Sequence, residues 1–126
     1  MFKDTKAHSG FAVDDSDAAT EFYGETLGID VKVEDAEHGL LTLNLGGDRP
    51  TLVYPRPDHR PADYTILNFP VDDIDAAVDA LVERGIEMTR YEGFDQDEKG
   101  IMRDQGPNIA WFTDPAGNVL SVIEDS

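Results

Sequence analysis

The feature that most constrains the fold of this chain is an internal repeat. Residues 11–19 read FAVDDSDAA and residues 69–77 read FPVDDIDAA, an offset of 58 with seven of nine positions identical. After a slip of one residue the match resumes, because Gly28-Ile29-Asp30 aligns with Gly85-Ile86-Glu87. Such self-similarity is typical of a chain built from copies of one supersecondary unit. The sequence predicts one domain of 126 residues with two modules, at about residues 5–57 and 62–124.

Each module begins with the same strand and helix. Asp15 and Asp73 precede the periodic segments, where their carboxylates can accept bonds from the free amides of a first helical turn. Gly28 and Gly85 then predict left-handed caps at the helix ends. Between them, apolar or small side chains recur at the i, i+3, i+4 spacing of a helix that packs on a sheet. They are Ala19, Phe22, Tyr23, Thr26 and Leu27, and Ile74, Ala77, Val78, Leu81 and Val82.

Three β-prone runs follow each helix. They cover residues 30–33, 40–45 and 51–54, and then 87–91, 108–113 and 118–123, with turn residues at 46–48 and 114–117. Residues 55–61 contain three prolines and predict an ordered, extended connector. The fold class is therefore α+β, with two tandem β-α-β-β-β modules forming a curved mixed sheet. Because one helix covers one face of a sheet, we expect the modules to enclose a shared ligand cavity.

The composition excludes several classes of function. The chain has 27 acidic and 10 basic residues, a net charge of −17 and no cysteine. This charge disfavours nucleic acid and anionic lipid, and the missing thiols exclude disulfides and cysteine-bound metals. Since no run approaches the ~20 apolar residues of a membrane span and the start has no signal-peptide pattern, we expect a cytoplasmic protein.

Two motifs give the chain a family resemblance. Residues 22–28 read FYGETLG and residues 111–118 read WFTDPAGN, at a helix end and before the last strand. Both resemble motifs of the vicinal-oxygen-chelate superfamily, which includes glyoxalases, bleomycin-resistance proteins and extradiol dioxygenases. The resemblance covers residues 7–124. It implies a small-molecule ligand or substrate and a homodimer.

The resemblance also implies where metal ligands would lie. Metal-binding members take four ligands from the first and last strands of the two modules, and those positions correspond here to His8, Thr51, Ile66 and Ser121. Only His8 is a metal-binding side chain, and a divalent ion needs ~3 protein groups. We therefore expect no cofactor, although nickel, zinc, iron or manganese held partly by His8 is the alternative. A plain strand residue is the simpler interpretation of His8.

The remaining site candidates come from strands and from one long loop. Tyr54 and Trp111 lie on predicted strands, where core packing competes with ligand contact as their role. Residues 92–105 form the longest aperiodic stretch, whose Met102 and Arg103 could line or gate a cavity. The same stretch opens like a calcium loop at residues 95–100, but lysine and glycine occupy later ligand places, which favours a solvated loop. The full set of cavity candidates is His8, Tyr54, Ile66, Trp111, Ser121, Met102 and Arg103.

Two functions follow from these residues. The first is a metal-free module that binds a small molecule in its cavity, similar to the antibiotic-sequestering branch of the superfamily. The alternative is a glyoxalase-type lyase or extradiol-type dioxygenase, in which a divalent ion on His8 polarises two adjacent substrate oxygens.

The distribution of charge suggests a halophilic source. Acidic residues are scattered along the whole chain, and only four of the ten basic residues are lysines. Self-repulsion at such a charge destabilises the compact state in dilute buffer. An acidic mesophilic protein is the alternative.

We predict that the melting temperature rises between about 0.1 M and about 2 M KCl, since the Debye length falls from ~10 Å to ~3 Å at 1 M salt. Differential scanning calorimetry measures the change, and sucrose of equal osmolality controls for exclusion of solute from the protein surface. An equal rise in sucrose, or no rise in KCl, would support the acidic mesophilic alternative.

Overall fold

The first unit, Met1–Pro61, consists of one mixed sheet and one helical crossover. The structure, a computed structural model, describes residues 1–124. The strands are β1 (Ser9–Val13), β2 (Asp30–Asp35), β3 (Leu40–Leu45) and β4 (Arg49–Pro55), in the spatial order β1-β4-β3-β2. Strands β1 and β4 are parallel and the other pairs are antiparallel. The crossover between β1 and β2 is helix α1 (Ser16–Thr20), continued by a π-helical segment (Glu21–Thr26).

The second unit, which begins at Ala62, repeats this plan with one strand fewer. It contains β5 (Thr65–Val71), α2 (Ile74–Glu83), β6 (Ile109–Thr113) and β7 (Val119–Glu124), in the order β5-β7-β6. Strand β5 is parallel to β7, and β6 is antiparallel to it. The α+β class and the two repeated modules are confirmed. The assignment of both modules to one domain stays a prediction.

Both helices begin and end where the sequence predicts. The Asp15 carboxylate accepts the N–H groups of Asp17 and Ala18 at 3.0 and 3.1 Å. The Asp73 carboxylate accepts the Ala76 N–H at 3.1 Å. The backbone then reverses at Gly28 and Gly85, with φ of 71° and 88°. Only glycine adopts such angles without steric cost, so these residues fix both helix ends.

The π-helical segment explains the one-residue slip in the repeat. Eight residues separate Ala19 from Gly28, whereas seven separate Ala77 from Gly85. The first helix takes up the additional residue in a wider turn, in which the Leu27 N–H donates to the Phe22 carbonyl at 2.9 Å, an i to i+5 bond. Because the turn widens instead of the chain rotating, Ala19 and Tyr23 both stay buried.

In each unit the helix covers one face of the sheet. In the first unit Phe11 contacts Tyr23 of the π-helical segment at 5.8 Å between ring centroids, and Phe11 shares its face with Val13 and Val53. In the second, the Glu124 carboxylate of β7 accepts the Ile74 N–H that begins α2, at 3.0 Å. We call the opposite face of each sheet its open face.

The prediction of the buried apolar stripe on the second helix was wrong at one residue. Ile74, Val78 and Leu81 are buried as predicted, but Val82 is 54% exposed. It therefore lies at the edge of the packed stripe.

The prediction of a strand at residues 87–91 of the second module was also wrong. In residues 87–91 only Thr89 forms a bridge, to Trp111, with the Thr89 N–H donating at 2.8 Å. The side-chain amide of Gln96 binds two backbone groups of this segment. Its Nε2 donates to the Thr89 carbonyl, and its Oε1 accepts the Tyr91 N–H. A side chain thus replaces the neighbouring strand as hydrogen-bond partner.

The proline connector is not fully extended. The His59 N–H donates to the Arg56 carbonyl at 3.1 Å, which closes a turn within residues 55–61. The Arg56 side chain also contacts the Asp58 carboxylate at 3.4 Å. Pro55 still belongs to β4, and the prolines that follow are compatible with an extended segment or with a turn, which the sequence did not distinguish.

The turn before β7 depends on two buried polar side chains. Asp114 accepts the N–H groups of Ala116 and Asn118 at 3.0 and 2.8 Å, and its second oxygen accepts the Asn118 amide at 2.9 Å. These bonds account for the DPAGN motif as an architectural one. In residues 1–124 there is no helix long and apolar enough to cross a membrane.

We predict that deleting Gly24 leaves the fold intact, because loss of one residue converts the π-helical segment to α-helix without rotating its ends. Deleting Val82, the counterpart of Gly24 at an offset of 58, removes a residue from a regular helix. The cap residues Arg84 and Gly85 are then rotated relative to the rest of α2. We expect a loss of at least about 3 kcal/mol for the Val82 deletion and under about 1.5 kcal/mol for the Gly24 deletion. Urea unfolding measures both, and equal losses would contradict the assignment.

Candidate functional site

The open face of the second sheet gathers the polar side chains of three strands. Ser121 of β7 is opposite Asn68 of β5 and opposite Trp111 of β6. Opposed residues point to the same side of a sheet, and alternate residues point to opposite sides. Because Leu120 and Val122 lie on the α2 side, these three side chains lie on the open face.

Two separate hydrogen bonds satisfy the polar groups of these side chains. We call Thr65, Asn68, Trp111 and Ser121 the polar row. The Ser121 hydroxyl donates to Oδ1 of Asn68, and Nε1–H of Trp111 donates to the Thr65 hydroxyl oxygen at 3.1 Å. Ser121 is fully buried, whereas Asn68 is exposed. The row therefore combines a buried, satisfied end with an amide that solvent or a ligand can reach.

Three aromatic rings pack beside the polar row. The ring centroids of Tyr91, Phe94 and Trp111 lie 5.3, 5.4 and 5.5 Å apart, in tilted and edge-on geometries. Burial raises the pKa of the Tyr91 phenol above its ordinary value. Trp111 is 8% exposed and Phe94 is 49% exposed. This aromatic cluster presents an apolar surface that reaches solvent at Phe94.

The open face of the first sheet carries Leu52 and Tyr54 of β4 beside two small residues of β1. Tyr54 of β4 pairs with Ala12 of β1, and Leu52 pairs with Gly10 and with Thr42. Tyr54 is 36% exposed. The same face continues through Thr42 and Asn44 of β3 to Asp30 and Lys32 of β2, so it is mixed in polarity.

The four positions that correspond to family metal ligands do not form a ligand set. His8 is exposed and precedes β1, with Nδ1 3.3 Å from the Ser9 carbonyl. Thr51 is 3% exposed and pairs with Leu43 on the helix-covered face. Ile66 sits at a register shift of β5, and the Ser121 hydroxyl is bound to Asn68. Within residues 1–124 no three His, Asp or Glu side chains cluster closely enough to hold a metal ion.

Met102 and Arg103 are held by the second unit itself. The Met102 backbone bridges to Ile109 and Gln96. The Arg103 guanidinium contacts the Asp97 carboxylate at 3.1 Å and the Asp75 carboxylate of α2 at 2.9 Å. Arg103 thus ties its loop to the helix instead of lying with Trp111 and Ser121.

The ion pairs around Arg103 shift several pKa values. The Arg103 guanidinium holds the pKa of Asp75 below its usual value. Burial raises the pKa of Asp97, but hydrogen bonds from the Ile101 N–H and from Arg103 outweigh it, so that pKa is also lowered. Lys99 contacts Asp79 at 3.0 Å, and this hydrogen bond raises the Lys99 pKa. These ion pairs hold residues 97–103, which we call the strap, against α2.

Sequence reasoning missed four residues of this site. Tyr91 ends the predicted strand at residues 87–91 and Phe94 lies in the aperiodic stretch 92–105, and neither pattern predicts a ring contact with Trp111 of β6. Thr65 and Asn68 lie on β5, and Asn68 is the only amide in the apolar run of residues 65–71. A polar residue inside such a run was the one available signal.

Comparison with known proteins identifies the family. The profile of the Glyoxalase/Bleomycin resistance protein/Dioxygenase superfamily matches residues 6–122. The chain belongs to this superfamily. No curated protein sequence matches the chain.

Solved structures share the fold over nearly the whole chain. A glyoxalase family protein from Enterococcus faecalis is 24% identical, with 98% of this chain and 100% of that chain covered and a TM-score of 0.69. TnmS3, an antibiotic binding protein from Streptomyces sp. CB03234, is 26% identical, with 98% of both chains covered and a TM-score of 0.68. The fosfomycin resistance protein FosX from Listeria monocytogenes is 14% identical over 95% of this chain and 92% of that chain, with a TM-score of 0.70.

We predict that the strap stabilises the protein in a pH-dependent way. The lowered pKa values of Asp75 and Asp97 mean that the contribution is present above their ordinary value of about 3.9 and is lost as pH falls through the lowered values. The parent should therefore exceed Arg103→Met in stability at about pH 6, and the difference should shrink below about pH 4.

Urea unfolding across this pH range measures the difference between the two proteins. Arg60→Met is the matched control, because Arg60 is exposed and contacts no carboxylate within residues 1–124. A difference between parent and Arg103→Met that stays constant with pH would contradict the role of the ion pairs.

Proposed function

We propose that this protein binds a small organic molecule on the open face of its second sheet, without a metal ion. The observation that carries the proposal is the pairing of the neutral polar row with the aromatic cluster. Ligand sites of this kind are mostly apolar, with a few polar groups that fix orientation. The polar row is built on strands β5, β6 and β7, whereas Tyr91 and Phe94 precede β6 and pack against Trp111.

Each part of the face has a separate task. Phe94 and the edge of Trp111 offer an apolar surface for stacking a planar ring. Asn68 accepts the Ser121 hydroxyl through Oδ1, while its Nδ2 donates to no partner within residues 1–124. The amide is therefore free to donate to a ligand oxygen. The prediction that this face belongs to a cavity shared by both modules, with His8, Tyr54 and Ile66 contributing, remains part of the proposal.

A metal-free site follows from the donor chemistry. Isoleucine cannot ligate a metal, and the Thr51 hydroxyl lies on the helix-covered face. This leaves His8 and a serine hydroxyl, which are too few to compete with water for a divalent ion. The lyase or dioxygenase alternative, which needs nickel, zinc, iron or manganese, is correspondingly less favoured.

The relative with the most relevant printed function is TnmS3, an antibiotic binding protein that is 26% identical to this chain. Its name supports binding as a function of this fold without catalysis. We extend the proposal to a cytoplasmic homodimer of halophilic origin, on the grounds of the family resemblance and the net charge of −17.

We predict that planar aromatic antibiotics quench the fluorescence of Trp111, the only tryptophan of the chain. Phe94→Ala should weaken this binding about tenfold, since an aromatic contact contributes about 1–1.5 kcal/mol. Phe2→Ala is the matched control, because Phe2 is 75% exposed and Phe94 is 49% exposed. Equal affinities of the two variants would contradict a site at the aromatic cluster.

Metal analysis tests the second half of the proposal. Protein purified without an affinity tag should contain substoichiometric nickel, zinc, iron and manganese. A stoichiometric metal that is lost in His8→Ala would overturn the metal-free proposal and support the enzyme.

A further inference from the structure

A groove of about 1030 Å³ runs beside α2 in the second unit. Its apolar wall consists of Val78 and Val82 of α2 and of Ile86 and Met88 from the following segment. Val78 is buried at the floor and Val82 is 54% exposed. An exposed valine beside a concave apolar surface is a place where a ligand can remove apolar area from water.

The groove occurs where the second module departs from the first. In the first unit, the segment after the helix forms β2, which pairs with β3 along Asp30 to Asp35. In the second unit, the equivalent segment makes one bridge at Thr89, and residues 86–90 line the groove instead. The missing strand thus leaves space next to α2.

The rim of the groove carries a negative excess. Four carboxylates and two basic side chains line it: Asp79, Glu83, Glu87, Glu98, Arg90 and Lys99. Both basic groups are already bound inside the protein. Lys99 contacts Asp79 at 3.0 Å and Asp75 at 3.5 Å, and the Arg90 guanidinium donates to the Glu98 carbonyl. No cation of residues 1–124 lies within ion-pair distance of the three glutamates.

We propose that this groove binds an amphipathic organic cation. The apolar body lies against Val82, Ile86 and Met88, and the ammonium group lies between the Glu83 and Glu87 carboxylates. The volume suits a drug-sized molecule, for which pockets of ~300–1000 Å³ are usual. The net charge of −17 also raises the local concentration of cations near the surface.

This second site is independent of the proposed function. The groove lies along α2, whereas the polar row lies on the face of the sheet that α2 does not cover. Occupation of the groove therefore needs neither Phe94 nor Asn68. Phe94→Ala should leave groove binding unchanged, which separates a failure of one proposal from a failure of the other.

Three probes that differ only in their charged end test the groove. 4-Phenylbutylamine, 4-phenylbutanol and 5-phenylpentanoate, which share a phenyl ring and four methylenes, are titrated into ¹⁵N-labelled protein at about 0.1 M salt, with amide chemical shifts followed by NMR. The amine should shift the amides of residues 78–90 and of residues 98 and 99, which line the groove. It should bind about three- to tenfold more tightly than the alcohol, with the anion weakest. Equal affinities for the three probes, or shifts confined to residues that do not line the groove, would overturn the proposal.

A pair of charge variants locates the ammonium group. Glu83→Gln with Glu87→Gln should weaken amine binding about three- to tenfold and leave alcohol binding unchanged. The matched control is Glu25→Gln with Glu37→Gln, which has the same net charge, and Glu25 is the counterpart of Glu83 at an offset of 58. Equal weakening in both double variants would mean that only the overall charge attracts the amine, and would refute the site.

Discussion

The parallel pairing of the first and last strands of each module is the constraint on which the rest of the structure depends. Parallel neighbours cannot be joined by a tight turn, so the chain must cross over one face of the sheet. The crossover helix then buries that face, as Val13 and Val53 are buried in the first unit. The opposite face receives no helix from its own module. In the second unit Asn68, Trp111 and Ser121 lie on this face.

The two modules differ because each absorbed a local change without disturbing that pairing. An additional residue in the first helix widened one turn, and Leu27 still closes it with a bond to Phe22. In the second module the predicted strand at residues 87–91 is reduced to a bridge at Thr89. The side-chain amide of Gln96 donates to the Thr89 carbonyl in place of a neighbouring strand. Because β5 and β7 remain paired, the loss of a strand changes the edge of the sheet and not its centre.

The sequence predicted what depends on local geometry and missed what depends on contacts between distant segments. Asp15, Asp73, Gly28 and Gly85 were predicted correctly because caps and left-handed turns are fixed by single residues. Residues 87–91 were predicted as a strand because their β-propensity is real, but a side chain from Gln96 replaced the strand partner. The aromatic cluster joins Trp111 to rings 17 and 20 residues earlier, and Arg103 pairs with Asp75, 28 residues earlier. No periodicity encodes them, so only the fold brings them together.

The chemistry of Ser121 connects the family resemblance to the proposed function. The resemblance places a metal-binding glutamate at this position in active glyoxalases, whereas Ser121 is fully buried and hydrogen-bonded to Asn68. A buried carboxylate needs a cation, because an unpaired charge in such a place is strongly unfavourable. Isoleucine at position 66 and Thr51 on the helix-covered face provide no charged partner for a carboxylate at this position. A neutral hydroxyl is compatible with this burial, because its hydrogen bond to Asn68 satisfies it without a counter-ion.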